Sequence, residues 1–387
     1  MTAGLGIAVA ALVAWLYLLT ARGGFWRTDI RDDDEEIANP PVWPSVAVII
    51  PARNEADVIG KSIASHFKHD YPGAAPIFLV DDQSEDGTAM VAATVAAICH
   101  ADDRLKIVKG KSLPASWTGK IWAVKQGIDA AKARGKLPRY LLLTDADIAY
   151  SPGLLRRLVA RAEAGELALT SLMVKLRCQS LAEKALIPAF VFFFQMLYPF
   201  RWINDRKNPA AGAAGGCMLV RTDLLERSGG IEAIHASLID DCALGRRIKQ
   251  EGPIWLGLTN NAHSLRPYPY LRDIRRMVAR SAYDQLNYSH WLLAATIFGM
   301  ALVYLTPPAL ALFASDYLRL LGAVTWGLMT LAFMPIVRFY RLSPLWAFAL
   351  PVIAVLYMFF TFDSAYQYWR GKGGFWKGRV QAQQARA

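Results

Sequence analysis

Two carboxylates one residue apart give this sequence its clearest chemical signal. Asp145 and Asp147 directly follow the apolar run at residues 140–143. Such a run predicts a buried strand, and the residues after a strand lie at its carboxyl end, where open α/β sheets bind ligands. Carboxylates at this spacing suit Mg²⁺ or Mn²⁺, which bind substrate phosphates together with one or two protein carboxylates. Because the same spacing also occurs in turns, the interpretation depends on the neighbouring loops.

Two more polar loops follow predicted strands earlier in the chain, at residues 51–55 and 81–87. Each loop alone is compatible with turn or helix-cap chemistry. Because the carboxyl ends of parallel strands share one edge of a sheet, we expect both loops to lie beside Asp145. The candidate binding residues in these loops are Pro51, Arg53, Glu55, Asp81 and Asp82.

A small-residue run and an acidic pair complete the candidates. The run includes Gly215 and Gly216, whose missing side chains let the backbone approach a ligand closely. Asp240 and Asp241 begin a predicted helix, where acidic side chains also act as caps and interact with the helix dipole. The residues alone leave both interpretations of the acidic pair open.

The elements that must position these residues alternate between strand and helix. We predict strands at residues 46–50, 77–80, 105–108 and 140–143, and helices at residues 55–67, 85–98 and 120–133. Alternation at this spacing predicts a parallel, doubly wound α/β sheet.

Apolar segments flank this region. Gly4–Thr20 is uncharged and is followed by Arg22, which favours an uncleaved membrane anchor over a signal peptide and places the next domain in the cytoplasm. Three later segments are also predicted to span a membrane, at residues 291–314, 317–337 and 344–362. If the domain is cytoplasmic, three later crossings would leave the carboxyl-terminal tail outside the cytoplasm. The basic charge of this tail predicts instead that it lies in the cytoplasm, so one of the four segments need not cross the membrane fully.

A shorter aromatic segment at residues 187–200 contains two prolines and leaves two interpretations open. It could be interfacial, with Phe193 and Phe194 facing a lipid acceptor, or it could be a helix buried in the protein core.

Composition excludes several classes. The net charge of +11 is concentrated near the membrane-like segments and fits anionic lipid headgroups better than nucleic acid. The four cysteines lie far apart without a Cys-x-x-Cys pair, which argues against structural zinc and disulfides. The sequence has no P-loop, no dinucleotide-binding glycine pattern and no Gly-x-Ser-x-Gly elbow.

The ordered set of motifs resembles the inverting glycosyltransferases of family 2, which have a GT-A fold. The resemblance covers about residues 45–289 and includes the loops above and Asp240-Asp241-x-x-Leu244. With the sequence Trp-Thr-Gly-Lys-x-Trp at residues 117–122 and the flanking apolar helices, the chain is most similar to the hopene-associated glycosyltransferases and is related to ceramide glucosyltransferase. This resemblance implies a GT-A nucleotide-sugar-binding sheet with flanking transmembrane helices.

The resemblance also implies roles for the candidate residues. The loops at residues 51–55 and 81–87 would hold the uracil and ribose of a UDP-sugar, and Lys120 would approach its diphosphate. Asp145 would contact the ribose and, with Asp147, the divalent cation.

Asp241 would be the general base, with Asp240 beside it. Many membrane members of the family carry a Gln-x-x-Arg-Trp motif after the base. In this chain Arg280 fills the arginine position, but Met277 and Ser281 replace the glutamine and the tryptophan. This departure makes a processive polysaccharide synthase a weaker expectation.

We therefore expect a multi-pass enzyme of the inner (cytoplasmic) membrane with a cytoplasmic catalytic domain. It would move a sugar from a nucleotide-sugar to a membrane lipid hydroxyl in hopanoid or other glycolipid biosynthesis, with no nucleic-acid partner. A polyprenyl-phosphate glycosyltransferase, a small polysaccharide synthase and a non-catalytic nucleotide-binding scaffold stay open as alternatives. The predicted regions are a membrane anchor (1–22), an acidic and proline-rich linker (23–44), the glycosyltransferase domain (45–289), transmembrane helices (290–363) and a basic tail (364–387).

Overall fold

A computed structural model describes residues 2–33, 36–135 and 137–380 of the chain. These residues form two compact units. Within the described part of the chain, the sheet unit comprises residues 30–177, 202–267 and 375–380, and the helical unit comprises residues 2–29, 178–201 and 268–374.

The described chain contains ten strands and fourteen α-helices. The strands are β1 (Val46–Ala52), β2 (Ile77–Asp81), β3 (Leu105–Lys109), β4 (Tyr140–Thr144), β5 (Ile148–Tyr150), β6 (Leu169–Lys175), β7 (Cys217–Arg221), β8 (Ile254–Ser264), β9 (Phe375–Trp376) and β10 (Arg379–Val380). The helices are α1 (Thr2–Thr20), α2 (Ile59–Phe67), α3 (Thr88–Ile98), α4 (Gly119–Lys132), α5 (Leu154–Ala164), α6 (Leu181–Leu197), α7 (Phe200–Asn204), α8 (Thr222–Arg227), α9 (Asp240–Glu251), α10 (Leu271–Ala279), α11 (His290–Met300), α12 (Thr306–Phe313), α13 (Asp316–Phe339) and α14 (Leu350–Trp369). Short 3-10 helices cover Asp102–Arg104, Ile231–Ile234 and Pro344–Ala349, and a π-helical segment covers Ala301–Leu305.

The sheet unit is built on eight strands in the order β3-β2-β1-β4-β7-β6-β8-β5. The first four strands of this order are parallel, as predicted from the sequence. The predicted parallel sheet does not describe the second half, where β6 and β8 are parallel but the other pairs are antiparallel. Strand β7 starts where β4 ends, with Cys217 paired to Thr144, and therefore runs antiparallel to it. Strand β5 also pairs in antiparallel fashion, with β8.

The central strands are buried along their whole length. Every residue of β1 and β4 is buried, as expected for strands whose two faces are both covered. Helix α2 buries Ile59, Ile63 and Phe67 from one face, in the spacing of an amphipathic helix. The apolar runs thus hold the carboxyl ends of β1, β2 and β4 at one edge of a rigid sheet.

Two predicted helices begin later than expected because loop residues hold each other by hydrogen bonds. Helix α2 starts at Ile59 and helix α3 at Thr88. The Glu55 N–H donates to Thr88 Oγ1 at 2.8 Å, and the Ala56 N–H donates to Asp86 Oδ2 at 2.9 Å. The loops after β1 and β2 are therefore interlocked and stay outside both helices.

The helical unit contains three helical segments that are long and apolar enough to cross a membrane. They are His290–Phe313, Asp316–Phe339 and Pro344–Trp369. The predicted amino-terminal anchor forms helix α1, whose apolar part, Gly4–Thr20, is shorter than these three. Helix α1 is fixed within the unit, since Trp15 Nε1 donates to the Val303 carbonyl at 2.8 Å.

The aromatic segment at residues 187–200 is part of the core of the helical unit. Helix α6 begins with a capping box, and its Phe192 and Phe193 are buried. The Phe193 ring lies 5.8 Å from the Tyr304 ring and 4.8 Å from the Tyr357 ring, measured between centroids. Phe193 is therefore packed within the helical unit, which contradicts its interpretation as a lipid-facing residue, whereas Phe194 is half-buried and its predicted contact with a lipid stays a prediction.

The two units do not coincide with the predicted region boundaries. Cys178–Arg201 and residues 268–289 belong to the helical unit, although both fall inside the predicted glycosyltransferase domain. Conversely, the β9–β10 hairpin comes from the predicted basic tail and belongs to the sheet unit.

Candidate active site

The polar loops predicted from the sequence meet at one edge of the sheet unit. Ala52 pairs with Asp81 at the ends of β1 and β2, which places the loops after these two strands side by side. A pocket at this edge is lined by residues from six parts of the sequence, among them Pro51, Lys120, Asp145, Gly215 and Asp240. The structure thus brings these candidates together, while their individual roles stay predictions.

Lys120 is the charged centre of the pocket. It lies in the first turn of α4, and its Nζ is 2.9 Å from Asp145 Oδ1 and 3.2 Å from Asp240 Oδ2. Burial alone would lower the pKa of Lys120, but the carboxylates of Asp145, Asp240 and Asp241 outweigh this effect and raise it. Lys120 therefore stays cationic, and its two ion pairs link Asp240 of α9 to Asp145 after β4.

Asp241 is held by backbone hydrogen bonds at the start of α9. Its Oδ2 accepts from the Gly215 N–H at 2.8 Å, and its Oδ1 accepts from the Cys242 N–H at 2.7 Å. Burial, and next the charge of Asp240, raise the pKa of Asp241 to about 6, although Lys120 and both N–H groups act in the opposite direction. A carboxylate with a pKa near neutrality is better suited to accept a proton than an ordinary exposed one.

The glycines between these groups are required by close packing. A Cβ on Gly215 would lie 3.2 Å from Asp241 Oδ2 and 3.2 Å from Lys120 Nζ, so any side chain would intrude between the two groups. A Cβ on Gly216 would lie 2.8 Å from a methyl group of Val174. At both glycines the backbone lies close to side chains of the chain itself, and the predicted approach to a ligand stays a prediction.

Asp147 lies in a separate ionic group that includes Arg266. Asp147 Oδ2 accepts from Ser264 Oγ at 3.0 Å and lies 3.3 Å from Arg266 Nε. Burial, followed by the charge of Asp145, raises the pKa of Asp147, whereas Arg266 lowers it. Arg266 also binds the Glu55 carboxylate, so it links the loop after β1 to the second carboxylate of the Asp-x-Asp sequence.

The loops after β1 and β2 are linked by Arg53. Its Nη1 donates to the Asp82 carbonyl at 2.6 Å and to the Gln83 carbonyl at 3.3 Å. Asp81 orders the second loop, because its Oδ1 accepts from the Ser84 N–H at 3.0 Å. Asp82 is buried.

Sequence reasoning missed Arg266 and Lys377. Arg266 follows β8, and it reaches Asp147 because β8 pairs in antiparallel fashion with β5, and neither of these two strands was predicted from the sequence. Lys377 lies on the β9–β10 hairpin, 3.0 Å from Glu55 Oε1. Its only signal in the sequence was the Lys-Gly dipeptide, which is compatible with a tight turn.

Arg280 is the one candidate outside the sheet unit. It is exposed at the end of helix α10 in the helical unit. The predicted contact between Arg280 and a diphosphate therefore stays a prediction.

The acidic residues fit a divalent cation in their chemistry. Asp145 and Asp147 offer hard oxygen ligands, and burial, followed by the charge of Asp145, raises the pKa of Asp147, whose charged form a bound cation would stabilise. Among the described residues no group of three His, Cys, Asp or Glu side chains could hold a metal. A cation bound here would therefore take its remaining ligands from substrate phosphates and water, as Mg²⁺ commonly does.

Comparisons with known proteins show what the chain that forms this α/β sheet is similar to. Residues 47–229, just under half of the chain, match the model of glycosyl transferase family 2. The match supports the family 2 resemblance, and the protein is an enzyme of the glycosyltransferase class. No curated protein sequence matches the chain significantly.

The chain is also similar to solved structures. Mannosyltransferase PcManGT from Pyrobaculum calidifontis, in complex with GDP-Man and Mn²⁺, has a TM-score of 0.57 and 16% sequence identity, with 93% of this chain and 98% of that chain covered. Mannosyl-3-phosphoglycerate synthase from Rubrobacter xylanophilus has a TM-score of 0.37 and 18% identity, with 61% and 71% covered. S. aureus TarS in complex with UDP-GlcNAc has a TM-score of 0.40 and 14% identity, with 84% and 92% covered. The first similarity shows the GT-A fold, and the other two are too weak to support an argument.

Proposed function

We propose that the protein transfers a sugar from a nucleotide-sugar, a UDP-sugar, to the hydroxyl group of a membrane lipid, with inversion at the anomeric carbon. The observation that carries this proposal is the position of Asp241. Its carboxylate has a raised pKa and is fixed by the Gly215 N–H beside the Lys120–Asp145 pair. A base is thus held next to the groups expected to bind the donor diphosphate.

The donor would lie along the edge where β1, β2 and β4 end. Arg53, Glu55 and the loop at residues 81–87 would hold the base and ribose, and Lys120 would face the diphosphate. A divalent cation held by Asp145 and Asp147 would neutralise charge on the departing diphosphate. Because Lys120 is already cationic, it supplies further positive charge to the same leaving group.

Asp241 would take the proton from the acceptor hydroxyl as its oxygen attacks the anomeric carbon. The new bond forms between that oxygen and the anomeric carbon, while the bond from the same carbon to the diphosphate breaks. Because attack and departure occur on opposite faces of the sugar, a single displacement inverts the configuration. The hydrogen bond from Gly215 fixes the carboxylate during this transfer, so little reorganisation is needed in the transition state.

Three long apolar helical segments in the same chain support a lipid acceptor. We propose that the protein is a multi-pass protein of the inner membrane with the sheet unit in the cytoplasm, where nucleotide-sugars are made. The resemblance to the hopene-associated enzymes makes hopanoid or glycolipid biosynthesis the proposed context, and it also motivates the relation to ceramide glucosyltransferase.

A transfer assay tests this proposal. Full-length protein in detergent would be incubated with Mn²⁺, a panel of radiolabelled UDP- and GDP-sugars and a lipid extract. We expect label to enter the lipid phase with wild-type protein and with the control Asp103→Asn, a change at an exposed residue, but not with Asp241→Asn. Label that enters only polyprenyl phosphate or a polymer would select one of the alternatives. Tight nucleotide binding with no transfer to any acceptor would favour a scaffold.

A further inference from the structure

The carboxyl-terminal hairpin of the sheet unit contacts three consecutive residues of the loop after β1. Lys377 Nζ lies 3.0 Å from Glu55 Oε1 and donates to the Asn54 carbonyl at 2.8 Å. The Lys377 carbonyl accepts from Arg53 Nε at 3.1 Å. One residue of the hairpin therefore uses both its ammonium group and its backbone to hold this loop, from a position more than 300 residues further along the chain.

The geometry of the hairpin turn determines where Lys377 points. Trp376 pairs with Arg379, so the turn consists of only Lys377 and Gly378. Their φ values are 44° and 87°, and two-residue turns between antiparallel strands require positive φ at both positions in the commonest type. Glycine adopts such a φ without steric cost, whereas a β-branched residue would be strained. Gly378 thus favours this turn locally.

The contacts of Lys377 give the Glu55 carboxylate a second cationic partner and the Arg53 guanidinium a further hydrogen-bond acceptor. The Glu55 side chain is 9% exposed and is paired with Arg266 as well as with Lys377. Loss of one of the two cations would leave a buried carboxylate with a single partner, which is unfavourable. The Arg53 guanidinium donates to the carbonyls of Asp82 and Lys377, so its plane is fixed from two directions.

We propose that the Lys377-Gly378 turn completes the nucleotide subsite, with Lys377 as a positioning residue that orients Arg53 and Glu55 toward the base and ribose of a nucleoside diphosphate. This inference rests on the proposed function, which places those two residues at the donor nucleotide. The basic tail of the sequence then serves donor binding in addition to any contact with lipid headgroups.

Binding of UDP and of GDP to the full-length protein in detergent tests the inference by isothermal titration calorimetry with Mn²⁺ present. Lys377→Asn removes the ammonium group but keeps the turn, because asparagine tolerates positive φ. Gly378→Val keeps the ammonium group but strains the turn. Lys377→Arg restores a cation, and Lys372→Ala removes an exposed lysine of the same tail as a matched control.

For the nucleoside diphosphate that the wild type binds, we expect Kd to rise about tenfold in Lys377→Asn and in Gly378→Val, since a charge-assisted contact or its geometry is lost. Lys377→Arg and Lys372→Ala should bind within about twofold of the wild type. The donor KM should rise in the same two variants, whereas kcat at saturating donor should change by less than about threefold, because the chemistry at Asp241 is not touched.

The outcomes separate the two proposals. A wild-type protein that binds neither nucleotide contradicts the proposed function itself. Wild-type binding that is unchanged in Lys377→Asn overturns the role of the turn and leaves the proposed function intact. Tighter binding by Lys377→Asn also overturns it, because the turn would then obstruct the subsite. If Gly378→Val does not fold, the comparison of Lys377→Asn with Lys377→Arg tests the role of the turn in nucleotide binding.

Discussion

The backbone N–H of Gly215 donates to Oδ2 of Asp241 at 2.8 Å. This bond joins the residues just before β7 to the start of α9, and the chain between these two points forms β7, helix α8 and the 3-10 helix at Ile231–Ile234. The same glycine leaves room for Lys120 Nζ, which a Cβ at this position would approach to 3.2 Å. Gly215 therefore orients the Asp241 carboxylate and leaves space for the Lys120 ammonium group, whose charge lowers the pKa of Asp241.

Gly215→Ala should impair catalysis more than stability. The new methyl group would push against Asp241 and Lys120, and a small displacement of a catalytic group can cost about 100-fold in rate. We expect kcat to fall by about 10- to 100-fold while the melting temperature changes by only a few degrees. Steady-state kinetics and thermal unfolding of purified protein would measure both. A neighbouring change, Ala210→Gly, serves as a control in the same small-residue run, and unchanged kcat in Gly215→Ala would contradict the assigned geometry.

Asp241→Asn should abolish most sugar transfer while donor binding persists. Asparagine keeps the size of the side chain and an oxygen acceptor for the Gly215 N–H, but it cannot take a proton at neutral pH. We expect kcat to fall by about 10²- to 10⁴-fold, the usual contribution of general base catalysis. Kd for the nucleoside diphosphate should stay within about threefold of the wild type. Transfer at more than about half the wild-type rate would remove Asp241 from the role of base.

The pH dependence of transfer should report the raised pKa of Asp241. The carboxylate must be ionised to act as a base, so kcat/KM should fall as the pH drops through a midpoint near 6. Because the charge of Asp240 contributes to raising that pKa, Asp240→Asn should move the midpoint to lower pH. A pH–rate profile of both proteins with saturating Mn²⁺ measures the shift. A midpoint that stays in place, or that moves upward, would contradict this assignment.

Much of the first half of the site could be predicted from the sequence because its signals are local. Strands β1 and β4 are continuous apolar runs followed by polar loops, and parallel pairing brings those loops to one edge. The second half could not be predicted in the same way. Arg266 reaches Asp147 and Glu55 through the long-range pairing of β5 with β8, which no local pattern encodes.

The roles of Asp240 and Asp241 at the start of α9 could also not be predicted from local sequence patterns. The sequence left helix capping and catalysis open for Asp240 and Asp241. The structure gives each carboxylate a partner from another segment, Lys120 for the first and Gly215 for the second. Capping needs no such partners, so the distinction depends on tertiary contacts that spacing alone does not contain.

The substitution Asp147→Asn should abolish binding of the divalent cation while the protein still folds. Asp147→Asn keeps the side-chain volume, and burial already disfavours the charged form of Asp147 in the folded protein, so we expect little loss of stability. If Asp147 holds the divalent cation together with Asp145, Mn²⁺ plus UDP should raise the melting temperature of the wild type but have little effect on the variant. Transfer should fall by at least about 100-fold in the variant and should be lost from the wild type in EDTA, because the leaving diphosphate would no longer be neutralised. Asp103→Asn, an exposed change in the same unit, is the matched control and should respond to Mn²⁺ and EDTA like the wild type. Full activity of the wild type in EDTA, or an equal Mn²⁺-dependent shift in Asp147→Asn, would show that Asp147 holds no catalytic cation.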